Sequence, residues 1–186
     1  GWHVDGTFQQ DPTKATILHS VALPSHGGNT AFANMYMAWN TMPEALKRRI
    51  EGLTAVHRLR GRKAYTQGIV SEEEMKRMGI VRHPVIRAHP ETGKKAVFVN
   101  PHHTLQIEGM TREASDELLE EIFAWCERPE FQWEQEWQVG DTIIWENRCA
   151  WHTGRADYPK NQLRKFYRTS IFEFVSSAYH AHQSAA

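Results

Sequence analysis

Trp2-His3-Val4-Asp5 opens the chain, and Asn147-Arg148-Cys149-Ala150-Trp151-His152 lies near its far end. Alternate side chains of a β-strand share a face, so His3 and Asp5 are predicted to point to the same side. His152 would supply a third donor from a remote strand. Two imidazoles and one carboxylate leave about three positions open on a metal ion, as in non-haem iron(II) oxygenases. His3, Asp5 and His152 are therefore the candidate metal ligands and catalytic residues.

Bulk composition favours a single domain over residues 1–186 and excludes several classes of protein. Lys plus Arg equals Asp plus Glu at 22 each, so net charge gives no argument for a nucleic-acid partner or an anionic membrane surface. No apolar run reaches the roughly 20 residues that a membrane-spanning helix needs, and no signal peptide is visible. Two distant cysteines indicate neither a disulfide framework nor a zinc ribbon. These features favour a reducing cytoplasm.

Hydrophobic patterning predicts strands at both ends of the sequence and helices between them. A helix over about residues 43–51 would begin in a capping box formed by Thr41 and Glu44, and a longer one would run from a Thr111 cap to about Glu127. The segment Thr142–Trp145 is predicted to be a buried strand, and Pro84 is predicted to place its strand at a sheet edge. The remaining predicted strands are 15–23, 30–34, 81–86, 95–99, 131–137 and 164–174.

Two segments are predicted to lie outside the main framework. Residues 54–80 are charged and irregular, and we expect a mobile lid or insert there. Tyr65 and the basic residues of this insert could meet an anionic substrate, but a solvated charge cluster is the favoured interpretation. The basic residues are Arg58, Arg60, Arg62 and Lys63. A C-terminal tail over about 176–186 is expected to be frayed.

Four motifs occur in an order that carries a family resemblance. They are Trp2-His3-x-Asp5, Gly27-Gly28-Asn29-Thr30, Trp145-x-Asn147-Arg148-x-x-x-His152 and Arg164-x-x-x-Arg168, supported by His89-Pro90-x-Thr92-Gly93 and by Phe98 to Thr104. Together they resemble the TauD/TfdA family of iron(II)- and 2-oxoglutarate-dependent dioxygenases over nearly the whole chain. The resemblance implies a mainly β fold with flanking helices, a double-stranded β-helix or jelly roll. A closed antiparallel architecture also suits the order of the predicted elements.

The resemblance also implies a role for each candidate site residue. His3, Asp5 and His152 would bind Fe(II), Thr30 and Arg164 would bind the co-substrate 2-oxoglutarate, and Arg168 would lie near the co-substrate or an anionic substrate. The implied reaction uses O2, hydroxylates a small organic molecule and releases succinate and CO2.

The chemistry of a dicarboxylate supports the two arginines independently of the resemblance. Its distal carboxylate needs a cation, and a guanidinium can grip it with two parallel hydrogen bonds. Arg164 and Arg168 are predicted to share a strand face, in a hairpin with the strand that carries His152. Thr30 as an ordinary β-forming residue, and Arg168 as part of a solvated edge, remain open alternatives.

Several questions stay open at the level of sequence. Family members have a segment before the His-x-Asp strand, so this chain is expected to lack the N-terminal portion of the jelly roll. A zinc hydrolase using the same His/Asp/His donors, and a jelly roll that binds 2-oxoglutarate without turnover, are alternative functions. The substrate, homo-oligomer formation, and whether hydroxylation leads to cleavage of the substrate are not determined by the sequence.

Overall fold

Antiparallel strands dominate the computed structural model, which describes residues 1–59, 61 and 79–172. The strands are β1 (Thr13–Ala22), β2 (Thr30–Asn34), β3 (Thr54–His57), β4 (Val81–Pro84), β5 (Ile86–Ala88), β6 (Lys95–Val97), β7 (Thr104–Ile107), β8 (Gln132–Gln135), β9 (Thr142–Glu146), β10 (Ala150–Gly154) and β11 (Lys165–Phe172). The helices are α1 (Met35–Asn40), α2 (Glu44–Ile50) and α3 (Arg112–Cys126), with a 3₁₀ turn at Pro129–Phe131.

The sheet order joins the two ends of the sequence. Strand β1 pairs with β11 on one side and β9 on the other, while β2 lies between β10 and β8. All of these pairings are antiparallel. Early strands therefore pair with late ones, as a jelly roll requires, and the fold is mainly β with flanking helices as predicted.

Helix α3 packs beside β7, where its Ser115 hydroxyl accepts a hydrogen bond from the Ile107 amide at 2.7 Å, and it also contacts β10. Its cap is the predicted Thr111, whose hydroxyl accepts a hydrogen bond from the Ala114 amide at 3.3 Å. Its apolar stripe, including Ile122, is buried, and Phe123 packs edge-on against Trp151 of β10 with ring centroids 5.9 Å apart. This packing fixes the strand next to the residue that carries the third predicted ligand.

Helices α1 and α2 differ from the prediction. The capping box at Thr41 is wrong, because α2 starts after Pro43 without any side-chain cap. Thr41 instead ends α1, where its hydroxyl donates to the Met37 carbonyl at 2.7 Å. The unpredicted α1 begins at Asn34, whose side chain accepts hydrogen bonds from the Tyr36 and Met37 amides. Thr41, which the pattern assigned to the start of α2, thus belongs to the end of α1.

Two of the predicted strands differ from the structure in sheet membership or in burial. The predicted strand 81–86 is two strands in different sheets, β4 and β5, and Pro84 ends the first of them on the edge of the β4-β3-β7 sheet. Strand β9 is less buried than its apolar run suggested: Trp145 is covered, but 62% of Ile144 is exposed. The reason is that β9 is an edge strand with one open face.

The predicted insert begins later than residue 54, because Thr54–His57 forms the buried central strand β3. Residues 62–78 and the predicted tail over 176–186 lie outside the described residues, as do three of the four basic side chains assigned to the insert. Among the described residues, no helix combines the length and the apolar character needed to cross a bilayer.

Candidate metal centre

The backbones of His3 and His152 are joined by two hydrogen bonds. The His3 amide donates to the His152 carbonyl at 3.0 Å, and the His152 amide donates back at 2.9 Å. Asp5 was predicted to continue the strand of His3. It instead begins a turn. Its position is set by side-chain contacts rather than by strand alternation.

Three donor atoms converge at this bridge. The Nε2 atoms of His3 and His152 each lie 3.6 Å from Asp5 Oδ1, and ligand atoms of all three residues lie within 4.8 Å of one another. Two ligands that each bind a first-row metal ion at about 2.1 Å are roughly 3.0–3.5 Å apart. The donor set therefore fits one metal ion with little rearrangement.

Both imidazoles are in the form that a metal needs. Burial is the main cause that lowers the pKa of His3 and lowers that of His152 well below the ordinary value, so both rings are neutral near pH 7. The Nδ1 atom of His3 contacts the Gly1 carbonyl at 2.9 Å, which leaves Nε2 free for the centre. Neutral nitrogen with an available lone pair is the ligand form of histidine.

The second carboxylate oxygen of Asp5 is already occupied. Asp5 Oδ2 accepts a hydrogen bond from the Thr16 hydroxyl at 2.7 Å and forms an ion pair with Arg168 Nη2 at 2.6 Å. Asn147 contacts both the Asp5 amide and Thr16. Oδ1 is left to face the two imidazoles.

Arg164 and Thr30 meet in a second cluster. Arg164 Nε donates to the Gly28 carbonyl at 2.6 Å, and its Nη2 donates to the Thr30 hydroxyl at 3.3 Å. The Trp137 indole also donates to that hydroxyl, at 3.1 Å. The guanidinium is half-buried and lies over the Phe166 ring at 4.3 Å.

The two clusters lie along one face of the β2–β10 ladder. His152 pairs with Phe32, and Gly154 pairs with Thr30 two positions further on. Residues two apart on a strand share a face and lie about 7 Å apart, so Thr30 lies that far along the ladder from His152 on the same face.

The predicted hairpin between the His152 strand and the arginine strand is wrong. Strand β10 pairs with β2, whereas β11 pairs with β1 in another sheet. Arg164 precedes β11, and Arg168 lies within it. The two arginines consequently meet different partners: Arg164 meets the Gly28 turn and Arg168 meets Asp5.

Three residues of this region make contacts that the sequence does not predict. Thr16 lies inside an ordinary β-rich segment and carries no signal of its own. Gly28 was read only as part of a turn motif, although its φ of +72° and the Arg164 side chain packed on it give it a specific place. Asn147 stood in a quoted motif, and its spacing before His152 was the available signal.

Comparisons with known proteins identify the family of the chain. The profile of the family described as taurine catabolism dioxygenase TauD, TfdA family matches residues 1–170. An alpha-ketoglutarate-dependent 2,4-dichlorophenoxyacetate dioxygenase from Burkholderia sp. (strain RASC) is 36% identical over 155 residues, which are 83% of this chain and 52% of the relative.

Solved structures give the same result. A taurine dioxygenase from Burkholderia xenovorans matches with a TM-score of 0.80 and 31% identity, over 94% of this chain and 57% of that one. The structure of AAD-2 in complex with Mn(II) and N-oxalylglycine matches with a TM-score of 0.84 and 28% identity, over 92% and 68% of the two chains. The chain thus spans about half to two thirds of the length of these relatives.

The family profile covers both ends of the site, from the His3 and Asp5 motif to the arginines before and within β11. The match and the geometry point the same way, and the chain belongs to the TauD, TfdA family of taurine catabolism dioxygenases.

Proposed function

We propose that this chain carries the catalytic site of an Fe(II)- and 2-oxoglutarate-dependent dioxygenase. It would hydroxylate a small, anionic organic substrate with O2 and release succinate and CO2. The observation that carries the proposal is the convergence of His3 Nε2, Asp5 Oδ1 and His152 Nε2 at one point, with the Arg164–Thr30 cluster on the same ladder face.

In this proposal His3, Asp5 and His152 hold the metal and act as the catalytic residues. Two neutral imidazoles and one carboxylate would leave about three positions for co-substrate and oxygen. Bound Fe(II) would supply the oxygen activation that hydroxylation requires. The chain contributes geometry: the two backbone hydrogen bonds between His3 and His152 hold two of the three donors in fixed register.

Arg164 and Thr30 would bind 2-oxoglutarate. The guanidinium already uses Nε and Nη2 on the Gly28 carbonyl and Thr30, so its remaining donors are directed by these contacts toward a distal carboxylate. The Thr30 hydroxyl, which accepts from Trp137, would add a hydrogen bond to the same group. A co-substrate lying along the ladder would then reach both clusters.

Arg168 would attract an anionic substrate. Its side chain is half-exposed beside the centre and is paired with Asp5, so it can turn to a second anion while it stays near the metal. The relatives named for 2,4-dichlorophenoxyacetate and taurine suggest carboxylates and sulfonates as the first substrates to test.

The surroundings of the site complete the proposal. We infer a single catalytic domain over 1–186, and the pairing of early with late strands supports it. We also infer a small-molecule partner rather than nucleic acid or membrane, which the balanced charge supports. Cys126 and Cys149 are free thiols, which supports a reducing, cytoplasmic setting. Homo-oligomer formation would be read from the solution mass.

The test uses the whole chain under anaerobic conditions. Addition of Fe(II) and 2-oxoglutarate should give a visible charge-transfer band, and admission of O2 should then yield succinate, faster with a substrate from the carboxylate and sulfonate panel. A band without succinate would instead favour a binding module. Absence of both, with zinc-supported hydrolysis, would favour a zinc hydrolase.

A further inference from the structure

We propose that Thr16 and Asn147 are positioning residues that hold Asp5 as a one-oxygen metal ligand. The inference rests on the proposed function and extends it, because it assigns a task to two buried side chains to which the proposed function gives no role. Both residues are fully buried, and both contact Asp5 directly.

The hydrogen-bond directions in this cluster follow from the Asn147 amide. Its Oδ1 faces two groups that can only donate, the Asp5 amide at 3.4 Å and the Trp145 indole at 3.0 Å. Its Nδ2 must therefore face Thr16, and it donates to the hydroxyl oxygen at 2.9 Å. Since the hydroxyl oxygen accepts from Asn147, its own hydrogen is available for Asp5.

Thr16 uses that hydrogen on Asp5 Oδ2 at 2.7 Å. The carboxylate is consequently held at one oxygen, and Oδ1 is the oxygen that faces both imidazoles at 3.6 Å. If Oδ2 were free, the carboxylate could rotate and bind the metal through both oxygens, which would use up a position that co-substrate or oxygen needs.

Arg168 also contacts Oδ2, but it is a different kind of partner. Its side chain is 51% exposed, so its ion pair is screened and can be exchanged for a substrate anion. Thr16 has no exposure and no room to leave. We therefore assign the permanent hydrogen bonding of Asp5 to Thr16 and Asn147, and an exchangeable ion pair to Arg168.

Asn147 also links the ligand strands. It follows β9 and lies five residues before His152, and its backbone amide donates to the Lys14 carbonyl on β1 at 2.8 Å. Its side chain then reaches the Asp5 amide. One residue thus fixes the start of the β10 segment to both β1 and the Asp5 turn.

The experiment measures Mn(II) binding in the presence of N-oxalylglycine, from the electron paramagnetic resonance signal of free Mn(II). Thr16→Val keeps the volume but removes the hydroxyl, and we expect about 10- to 100-fold weaker Mn(II) binding, the usual effect of removing a partner of a metal ligand. Thr16→Ser keeps the hydroxyl and should stay close to wild type. Ser20→Ala removes another buried hydroxyl from the same strand, one that donates to the Gln138 carbonyl, and is the control that should leave Mn(II) binding unchanged.

Two further measurements separate positioning from folding. The pair Thr16→Ser and Thr16→Ala differs by one hydroxyl oxygen, so it carries the test if the valine variant does not fold. In addition, Thr16→Val combined with Asn147→Ala should weaken Mn(II) binding by less than the sum of the two single changes, because the hydrogen bond from Asn147 to Thr16 can act on Asp5 Oδ2 only while the Thr16 hydroxyl is present.

The outcomes distinguish this inference from the proposed function. Tight Mn(II) binding by wild type and equally tight binding by Thr16→Val and Thr16→Ala would overturn the positioning role and leave the dioxygenase proposal standing. A wild-type chain that binds no Mn(II) with N-oxalylglycine would overturn both. Additive losses in the double variant would show independent structural effects and reject the linked arrangement.

Discussion

Arg164 is the residue whose replacement tests the co-substrate site most directly. Arg164→Ala removes the cation proposed to meet the distal carboxylate, and losing one partner of a buried charged pair costs about 2–5 kcal/mol. The 2-oxoglutarate concentration for half-maximal charge-transfer absorbance should therefore rise by at least roughly 30-fold. Arg164→Lys should recover part of the loss, because it keeps the charge but not the planar fork.

The control for this prediction is Arg112→Ala. Arg112 is half-exposed and pairs with Asp116 on the outside of α3, so its loss should not change the 2-oxoglutarate requirement. An unchanged requirement in Arg164→Ala would remove Arg164 from the site.

Gly28 gives a second prediction at the residue scale. A Cβ at this position would lie 3.1 Å from Arg164 Cδ and 3.2 Å from its Nε, so Gly28→Ala should displace the guanidinium. We expect the 2-oxoglutarate requirement to rise on the order of ten- to a hundredfold, since small misplacement of a binding group is costly.

Gly93→Ala is matched to this change. Gly93 has a similar φ, +69° against +72°, but a Cβ there meets no atom within 4 Å. Both variants should lose about 1–2 kcal/mol of stability through backbone strain. Only Gly28→Ala should alter co-substrate binding, and equal co-substrate affinities in the two variants would contradict the proposed contact.

The individual site residues were partly predictable. His3, Asp5 and His152 converge as the motif spacing suggested, and Thr30 and Arg164 meet. The contacts of Arg168 with Asp5 and of Thr16 with Oδ2 were not foreseen, because a hydroxyl or a guanidinium in a strand looks the same whether it faces a ligand or solvent. Only the pairing of β1 with β11 and β9 brings them beside the carboxylate.

At the scale of elements, the two threonines near helix ends separate a real cap from an apparent one. Thr111→Ala should lower the free energy of unfolding by about 1 kcal/mol, because the Ala114 amide loses its acceptor. Thr111→Ser should restore most of it. Thermal or denaturant unfolding measures the difference.

Thr41→Ala is the comparison. Since α2 has no side-chain cap and Thr41 only donates to a carbonyl at the exposed end of α1, its loss should cost less than half as much. A larger loss at Thr41 than at Thr111 would reverse the assignment of the caps.

Long periodic elements were predicted well, and short ones were not. Helix α3 has a full apolar stripe and a cap, so its existence and limits followed from the sequence. Helix α1 has six residues, too few for a periodic pattern. Its C-terminal cap is Thr41, the residue on which the cap prediction for α2 depended. The apolar run of β9 predicted burial, but edge position in a sheet is a tertiary property that the run does not contain.

At the scale of the whole molecule, neutral buried histidines couple stability to pH. Burial lowers the pKa of His57 to about 3, with the neighbouring His83 as a smaller cause, and burial also lowers the pKa of His83 itself. The unfolded chain takes up a proton near the ordinary value of 6.5, whereas the folded chain does not until near 3. The contribution of His57 to the free energy of unfolding is therefore fully present above pH 6.5 and is lost as the pH is lowered from 6.5 toward 3.

His57→Asn tests this coupling. Between pH 7.5 and 5, the free energy of unfolding of wild type should drop by about 2 kcal/mol for His57 alone. The variant lacks the His57 imidazole, so its free energy of unfolding should fall by about 2 kcal/mol less than that of wild type over the same interval. Urea unfolding at several pH values measures the slopes, and parallel slopes would show that His57 protonates equally in both states.

The backbone bridge between His3 and His152 has a consequence for how the protein assembles. It joins residues 3 and 152, which are far apart in the sequence, so the loop that it closes is long. Contacts of such high sequence separation form late, after local helices and hairpins. A partly folded chain would present its histidines singly, and tight capture of a metal ion would coincide with the last step of folding.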